Sequence, residues 1–168
     1  MIQIKNAAEL EKMRKACAIS AAALKAGGEA IEPGITTAEI DKIIYDFIVR
    51  HGARPNFLHL YGFPATACIS VNDTVIHGIP SRQQQIRPGD IVSIDTGCKI
   101  DGFNGDNACT YACGKIDLEA QRLLDVTKES LHRGIEMARG GNRVGDIGHA
   151  VQSYVEENGF SVVRSFVG

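Results

Sequence analysis

The chain has 168 residues, 44% hydrophobic and 23% charged, with a formal net charge of −2. That length suits one globular domain burying about 70% of its unfolded surface. The charge balance lacks the basic stripe that nucleic-acid binding needs, no run of ~18 apolar residues offers a membrane helix, and the opening "MIQIKNAAELEKMRK" is too charged for a signal peptide.

In chain order, the first helix is predicted to open at Asn6, with Glu9 three residues on in a variant of the capping box. Its apolar stripe is Leu10, Met13, Cys17 and Leu24, and Glu32-Pro33-Gly34 ends it. A second helix opens with "TTAE", Thr36 capping and Glu39 reaching back. Ile40, Ile43, Ile44, Phe47 and Ile48 form its stripe, and His51-Gly52 fits a glycine stop. A strand-rich middle follows from about Arg54 to Cys113, punctuated by glycine and proline. Two more helices are predicted, one over roughly Asp117 to Arg139 with Leu124, Leu131 and Ile135 on one face. The other runs from about Gly145 to Glu157 and stops at Asn158-Gly159. The five cysteines, Cys17, Cys68, Cys98, Cys109 and Cys113, form no C-x-x-C pair and suit reduced thiols in a cytosol.

The two helix pairs read as copies of each other. At an offset of 107 residues, Leu24 meets Leu131, Gly27 meets Gly134, Gly34 meets Gly141, Ile40 meets Ile147, and Gly52 meets Gly159. On this offset Gly168 corresponds to Tyr61, so a counterpart of Gly62–Cys113 is missing. The second repeat is therefore expected to be incomplete, leaving an unpaired sheet edge and an uncovered apolar face.

The segment "IVSIDTGCKIDGFNGDNACTY", Ile91 to Tyr111, places two carboxylates in a predicted hairpin, although acidic residues are poor strand formers. If Asp101-Gly102 is the loop, Asp95 stands opposite Ala108 with Asp106 diagonal to it. If the loop is Ile100-Asp101, Asp95 faces Asp106 directly. Both registers put the carboxylates on one face, about 5–8 Å apart between β-carbons. Small residues share that face: Ser93, Gly97, Asn104, Ala108 and Thr110. Val92, Ile94, Phe103 and Tyr111 lie on the other. Three readings follow: solvated aspartates beside a turn, an aspartic-protease pair sharing a proton around "DTG", or a divalent-metal site. The helix content argues against the protease, and the metal reading accounts for the second carboxylate.

Upstream, "GFPATACISVNDTVIHGIPS" reads as a strand or hairpin ending in His77, and glycine after it permits close backbone approach. Together, "FPATACISVNDTVIHGIP" and "RPGDIVSIDTGCKIDGFNGDNACTYACG" closely resemble the type I methionine aminopeptidases. "ELEKMRKACAISAAAL" and "EPGITTAEIDKIIYDFI" fit that family as well, so the resemblance spans essentially the whole chain.

The resemblance implies an α+β, pita-bread (creatinase/aminopeptidase-like) fold, an antiparallel sheet covered by helix pairs with a pseudo-two-fold repeat. Residues 1–168 would be a single domain comprising about the N-terminal two-thirds of it. The implied activity is metal-dependent removal of the N-terminal methionine from nascent polypeptides. Asp95 and Asp106 match the first two ligands of a site for two divalent ions (Co, Mn, Fe, Zn or Ni), Asp106 bridging both. His77 matches the catalytic, substrate-contacting histidine. Phe57, Leu60, Phe63 and Cys68 fall where the family lines its methionine pocket, Leu60 departing from the aromatic often found there. A histidine in H-G-I-G and two glutamates complete the family's five ligands, and "SVVRSFVG" stops before them, so the chain is expected to be an inactive or incomplete fragment. His51, His59, His132 and His149 do not match that histidine and read as structural or solvated, at helix ends or in loops. The implied partners are nascent polypeptide N-termini, including at the ribosome, without direct nucleic-acid or membrane binding. A cytoplasmic location and a monomer when complete are expected. A Xaa-Pro aminopeptidase, or a non-catalytic ribosome- or RNA-associated binding module on the same scaffold, are the alternatives.

Overall fold

Side-chain caps open both N-terminal helices. Asn6 accepts from the Glu9 backbone N–H while the Glu9 carboxylate accepts from that of Asn6, starting α1, Ala7–Glu29. Thr36 and Glu39 make the same reciprocal bonds at the start of α2, Thr37–Arg50. The computed structural model describes residues 3–164, and the chain forms two compact units, Met1–Ile116 and Asp117–Gly168. Among the described residues no helix is long and apolar enough to cross a membrane.

In the first unit the strands are β1 (Arg54–Pro55), β2 (Ala67–Val71), β3 (Ile91–Ile100) and β4 (Phe103–Ala112). All pairings are antiparallel. β4 runs along the whole of one edge of β3, while β2 and the short β1 share the other. Among the described residues no strand pairs with the outer edge of β4. Ile40, Ile44 and Ile48 of α2 are buried with Ile69, Val92, Ile94 and Ile86, forming the core under one face of the sheet.

The face that α1 buries differs from the predicted stripe. Leu10 and Cys17 are exposed, and the buried residues are Ala16, Ser20, Ala23, Leu24, Gly27 and Gly28. Close approach explains this. A β-carbon on Gly105 of β4 would lie 2.3 Å from the Ala16 carbonyl oxygen, and one on Gly28 would lie 2.2 Å from the Tyr111 ring. Helix and strand touch backbone to backbone, so small residues, not large apolar ones, form the contact. The helix also ends at Glu29, before the predicted stop. The predicted strand through His77 shrinks to Ala67–Val71, and residues 72–81 are loop.

The second unit is a helix hairpin, α3 (Leu118–Met137), capped by Asp117, and α4 (Val144–Glu157). Its geometry repeats the first helix pair at a set of matched positions, at the offset of 107. Gly34 and Gly141 have φ of 97° and 96°, and Gly52 and Gly159 have φ of 73° and 78°. A β-carbon on Gly27 would meet Ile44 and Ile40, and one on Gly134 would meet their counterparts Val151 and Ile147. The Asp146 carboxylate accepts from Arg143 N–H as Glu39 does from Thr36 N–H. At the far end, the His51 ring bonds the Phe47 carbonyl and the Asn158 amide bonds the Tyr154 carbonyl. The duplication is therefore real at the level of single contacts. The apolar face predicted for α3 is again not the buried one. Leu131 and Ile135 are each 58% exposed, whereas Val126, Ser130 and Gly134 are buried.

If α1 is seated on β4 through Gly105, Gly105→Ala forces helix and strand apart. Urea unfolding should show a loss of about 3 kcal/mol, the upper end of the usual overpacking cost. An unchanged midpoint would mean that α1 is not packed this closely.

Candidate functional site

The hairpin turn is the Asp101-Gly102 loop, with Ile100 paired to Phe103. Both turn residues have positive φ, 53° and 85°, as the right-handed twist of the flanking strands demands. The register sets Asp95 opposite Ala108 and Asp106 opposite Gly97, so the carboxylates are diagonal neighbours on one face. Across β2, Cys68 stands opposite Asp95 and Ser70 opposite Ser93. The Ser93 and Thr110 hydroxyls share a hydrogen bond of 2.8 Å on the same face.

Asp95 is held well above the usual carboxylate range, at about 6. Burial is the first cause, followed by the charge of Asp106 and a hydrogen bond between the two side chains, while His77 acts in the opposite direction. Cys68 is pushed up to about 11, mainly by burial and then by the carboxylates of Asp95, Asp106 and Asp41. Among the described residues no lysine or arginine forms an ion pair with Asp95 or Asp106. Together a half-buried carboxylate, Asp95, and an exposed one beside it, Asp106, both flanked by glycine and alanine, fit a divalent cation as two of its oxygen ligands. No group of three or more His, Cys, Asp or Glu side chains able to enclose a metal occurs among the described residues.

A cavity of about 460 Å³ opens beside Asp95. The predicted pocket residues Phe57, Leu60, Phe63 and Cys68 all line it, together with His77. Asp106 lies on the same sheet face without lining the cavity. Tyr61 and Ile79 also line it and were missed by the sequence reasoning. The loop carrying Leu60 and Tyr61 is backbone-strained. His59 and Tyr61 have φ of 68° and 49°, a region that costs a non-glycine residue roughly 1–2 kcal/mol. Bonds from His59 N–H to the Phe63 carbonyl and from Phe63 N–H to the Leu60 carbonyl hold it closed.

His77 reaches the cavity from a loop, not from the predicted strand, and is itself left-handed with φ 57°. Gly78 folds back onto β2: Ile69 N–H donates to its carbonyl at 2.8 Å, and its own N–H donates to Ser70 Oγ at 3.1 Å. A β-carbon at Gly78 would lie 2.2 Å from the Ile69 carbonyl oxygen, so only glycine permits this fold-back. The other histidines stand apart from the cavity. His51 caps α2 and stacks on Phe47, and His59 shapes the pocket loop. His132 and His149 lie exposed within helices, not at helix ends or in loops as predicted.

The N-terminal part of α2 grips both segments that bring side chains to the cavity. Thr37 Oγ1 accepts from Ser81 N–H at 2.8 Å, tethering the loop after His77. Asp41 Oδ1 accepts from Thr66 and Ala67 N–H at 2.9 and 2.8 Å, tethering the end of the pocket loop. Neither contact was foreseen. A carboxylate beside the apolar stripe Ile40, Ile43, Ile44 is the signal that could have pointed to Asp41.

An acidic pair on a sheet beside an apolar pocket is the layout of a metal-dependent hydrolase. The profile of metallopeptidase family M24 matches residues 11–168. The methionine aminopeptidase of Clostridium perfringens is 51% identical over 168 residues, 100% of this chain and 67% of that relative. Methionine aminopeptidase 1 of Bacillus subtilis is 45% identical with the same coverage. The crystal structure of the Rickettsia prowazekii methionine aminopeptidase superposes with a TM-score of 0.96 at 38% identity, covering 99% of this chain and 66% of that one. Escherichia coli aminopeptidase P, at a TM-score of 0.81 and 24% identity, shares the fold alone. The chain belongs to metallopeptidase family M24 and, within it, to the methionine aminopeptidases. Its fold is the α+β pita-bread fold, and it spans about two thirds of the length of the curated relatives it matches.

The raised pKa of Asp95 has a direct consequence for metal-free protein. A carboxyl that holds its proton more tightly when folded adds stability that is fully present below its ordinary pKa near 3.9. That stability is lost as pH rises through about 6. Asp106→Asn removes the neighbouring charge, so in EDTA the variant should lose less stability than wild type between pH 4 and pH 7. Parallel urea-midpoint curves for the two proteins would show that the carboxylates do not interact.

Proposed function

We propose that this chain carries the substrate-binding side of a methionine aminopeptidase site, acting on the N-termini of nascent polypeptides. The observation that carries the reading is the single cavity that joins Phe57, Phe63, Cys68 and His77 to Asp95. The pocket would take the methionine side chain, whose thioether gains from the aromatic rings of Phe57 and Phe63. His77, at the exposed mouth, would donate a hydrogen bond to the scissile carbonyl oxygen as negative charge develops there. Asp95 and Asp106 would hold divalent metal, two ions in the complete site, drawn from Co, Mn, Fe, Zn or Ni. A divalent cation there supplies the positive charge that polarises the carbonyl and activates water.

With two carboxylate ligands, metal binding should be weak and turnover slow or absent in these 168 residues alone. Such a protein works in the cytoplasm, meeting its substrates as they leave the ribosome. Against a Xaa-Pro specificity stands the apolar, aromatic-lined pocket, which suits a long side chain at the first position.

Peptide binding in Mn²⁺ separates these readings. Met-Ala-Ser should bind at least tenfold more tightly than Ala-Pro-Ser, and Phe63→Ala should abolish the difference. Equal affinities would remove the methionine assignment. With Met-Gly-Met and Co²⁺ or Mn²⁺, release of methionine at enzyme-like rates, on the order of 1 s⁻¹ or faster, would contradict the expected inactivity.

A further inference from the structure

The internal repeat supplies a control on the first unit. Several features that build the helix pair recur in both copies. The carboxylate that caps the second helix of each pair, the left-handed glycines after the helices, the glycine at the helix crossing and the C-terminal cap bond all do so. Two polar side chains of α2 do not. Thr37 corresponds to Val144 and Asp41 to Gly148, neither of which has a hydrogen-bonding side chain. Whatever Asp41 does, a helix pair of this design forms without it.

Its bonds go to the site. Thr66 and Ala67, which donate to Asp41 Oδ1, are 1% and 0% exposed, so their amides have no water to fall back on. They lie between Pro64 and Cys68, both of which line the cavity. Ala67 is also the first residue of β2, the strand that sets Cys68 opposite Asp95. The pocket loop upstream is backbone-strained at His59 and Tyr61, and strained segments persist only where their surroundings hold them. One acceptor oxygen on α2 therefore anchors the strained loop at the point where it becomes strand.

We propose that Asp41 is a positioning residue for the pocket, acting through Thr66 and Ala67 to fix the strained loop and to set β2 against Asp95. The inference rests on reading the cavity as a methionine pocket, and the test keeps the two apart. The 168-residue chain is compared with Asp41→Ala and Asp41→Asn, following amide exchange by NMR and binding of free L-methionine. Asparagine keeps one acceptor oxygen for both N–H groups, and alanine keeps none. In Asp41→Ala, exchange should accelerate at least 100-fold at Thr66 and Ala67 and at least tenfold across Leu58–Phe63, with methionine binding at least tenfold weaker. Val92 and Ile94 should keep their wild-type protection, and Asp41→Asn should return every value to within about threefold of wild type.

A purely local cap would release Thr66 and Ala67 alone, leaving the loop and methionine affinity unchanged, and that result overturns the proposal. If wild type does not bind L-methionine, the pocket reading fails, and loop exchange in the two variants still decides the role of Asp41. Should Asp41→Ala not fold, Asp41→Glu keeps charge and acceptor but displaces them. It should weaken methionine binding at least tenfold, and wild-type affinity there overturns the proposal as well.

Discussion

A two-residue turn governs this molecule. Asp101 and Gly102 both adopt positive φ, which fixes the register of β3 on β4, and the two-residue period of a strand then sorts every side chain. Asp95 and Asp106 fall on one face, and Val92, Ile94 and Cys98 on the other, under α2 and the buried small-residue face of α1. A slip of one residue would push the carboxylates into the isoleucine core and turn the isoleucines outward. Burying two unpaired carboxylates costs far more than any hairpin supplies, so the core and the acidic site are specified by the same constraint. The close seat of α1 on Gly105 then holds the hairpin in place.

Two half-buried acids, Asp41 and Asp95, show how a carboxylate is managed here. Asp41 is half-buried and its proton affinity is raised by burial, yet two backbone N–H groups satisfy one of its oxygens. Among the described residues Asp95 has no such donors, and the charge of Asp106 beside it adds to the effect of burial in raising its proton affinity. The first is anchored by the protein. The charge of the second, with Asp106, is neutralised by no side chain among the described residues, and a cation would supply what is missing.

Much of this was legible in the sequence. The capping boxes at Asn6–Glu9 and Thr36–Glu39, the Asp101-Gly102 hairpin and the repeat all rest on local rules, and the contacts obey them. Cys68, Phe57, Phe63 and His77 were placed by resemblance, and the cavity gathers them. What escaped has physical reasons. The buried face of α1 is made of alanine, serine and glycine, because backbone contact, not apolar area, decides it. The run Thr74-Val75-Ile76-His77 looks like strand, but Gly78 folds back on Ile69 and makes it a loop. The left-handed backbone at His59 and Tyr61 carries no glycine signal, and the grip of Thr37 and Asp41 on distant loops is a long-range contact that no periodicity announces.

Asp95 and Asp106 stand together on the open face of the hairpin, where a divalent cation is expected to bind. Paramagnetic line broadening by substoichiometric Mn²⁺ locates such a site directly. Broadening centred on Asp95, Gly97, Asp106 and Ala108, and lost in Asp95→Asn, is the predicted result. Broadening centred instead on the surface acids Glu32, between the first two helices, and Glu39 and Asp46 of α2, with the hairpin untouched, would contradict it.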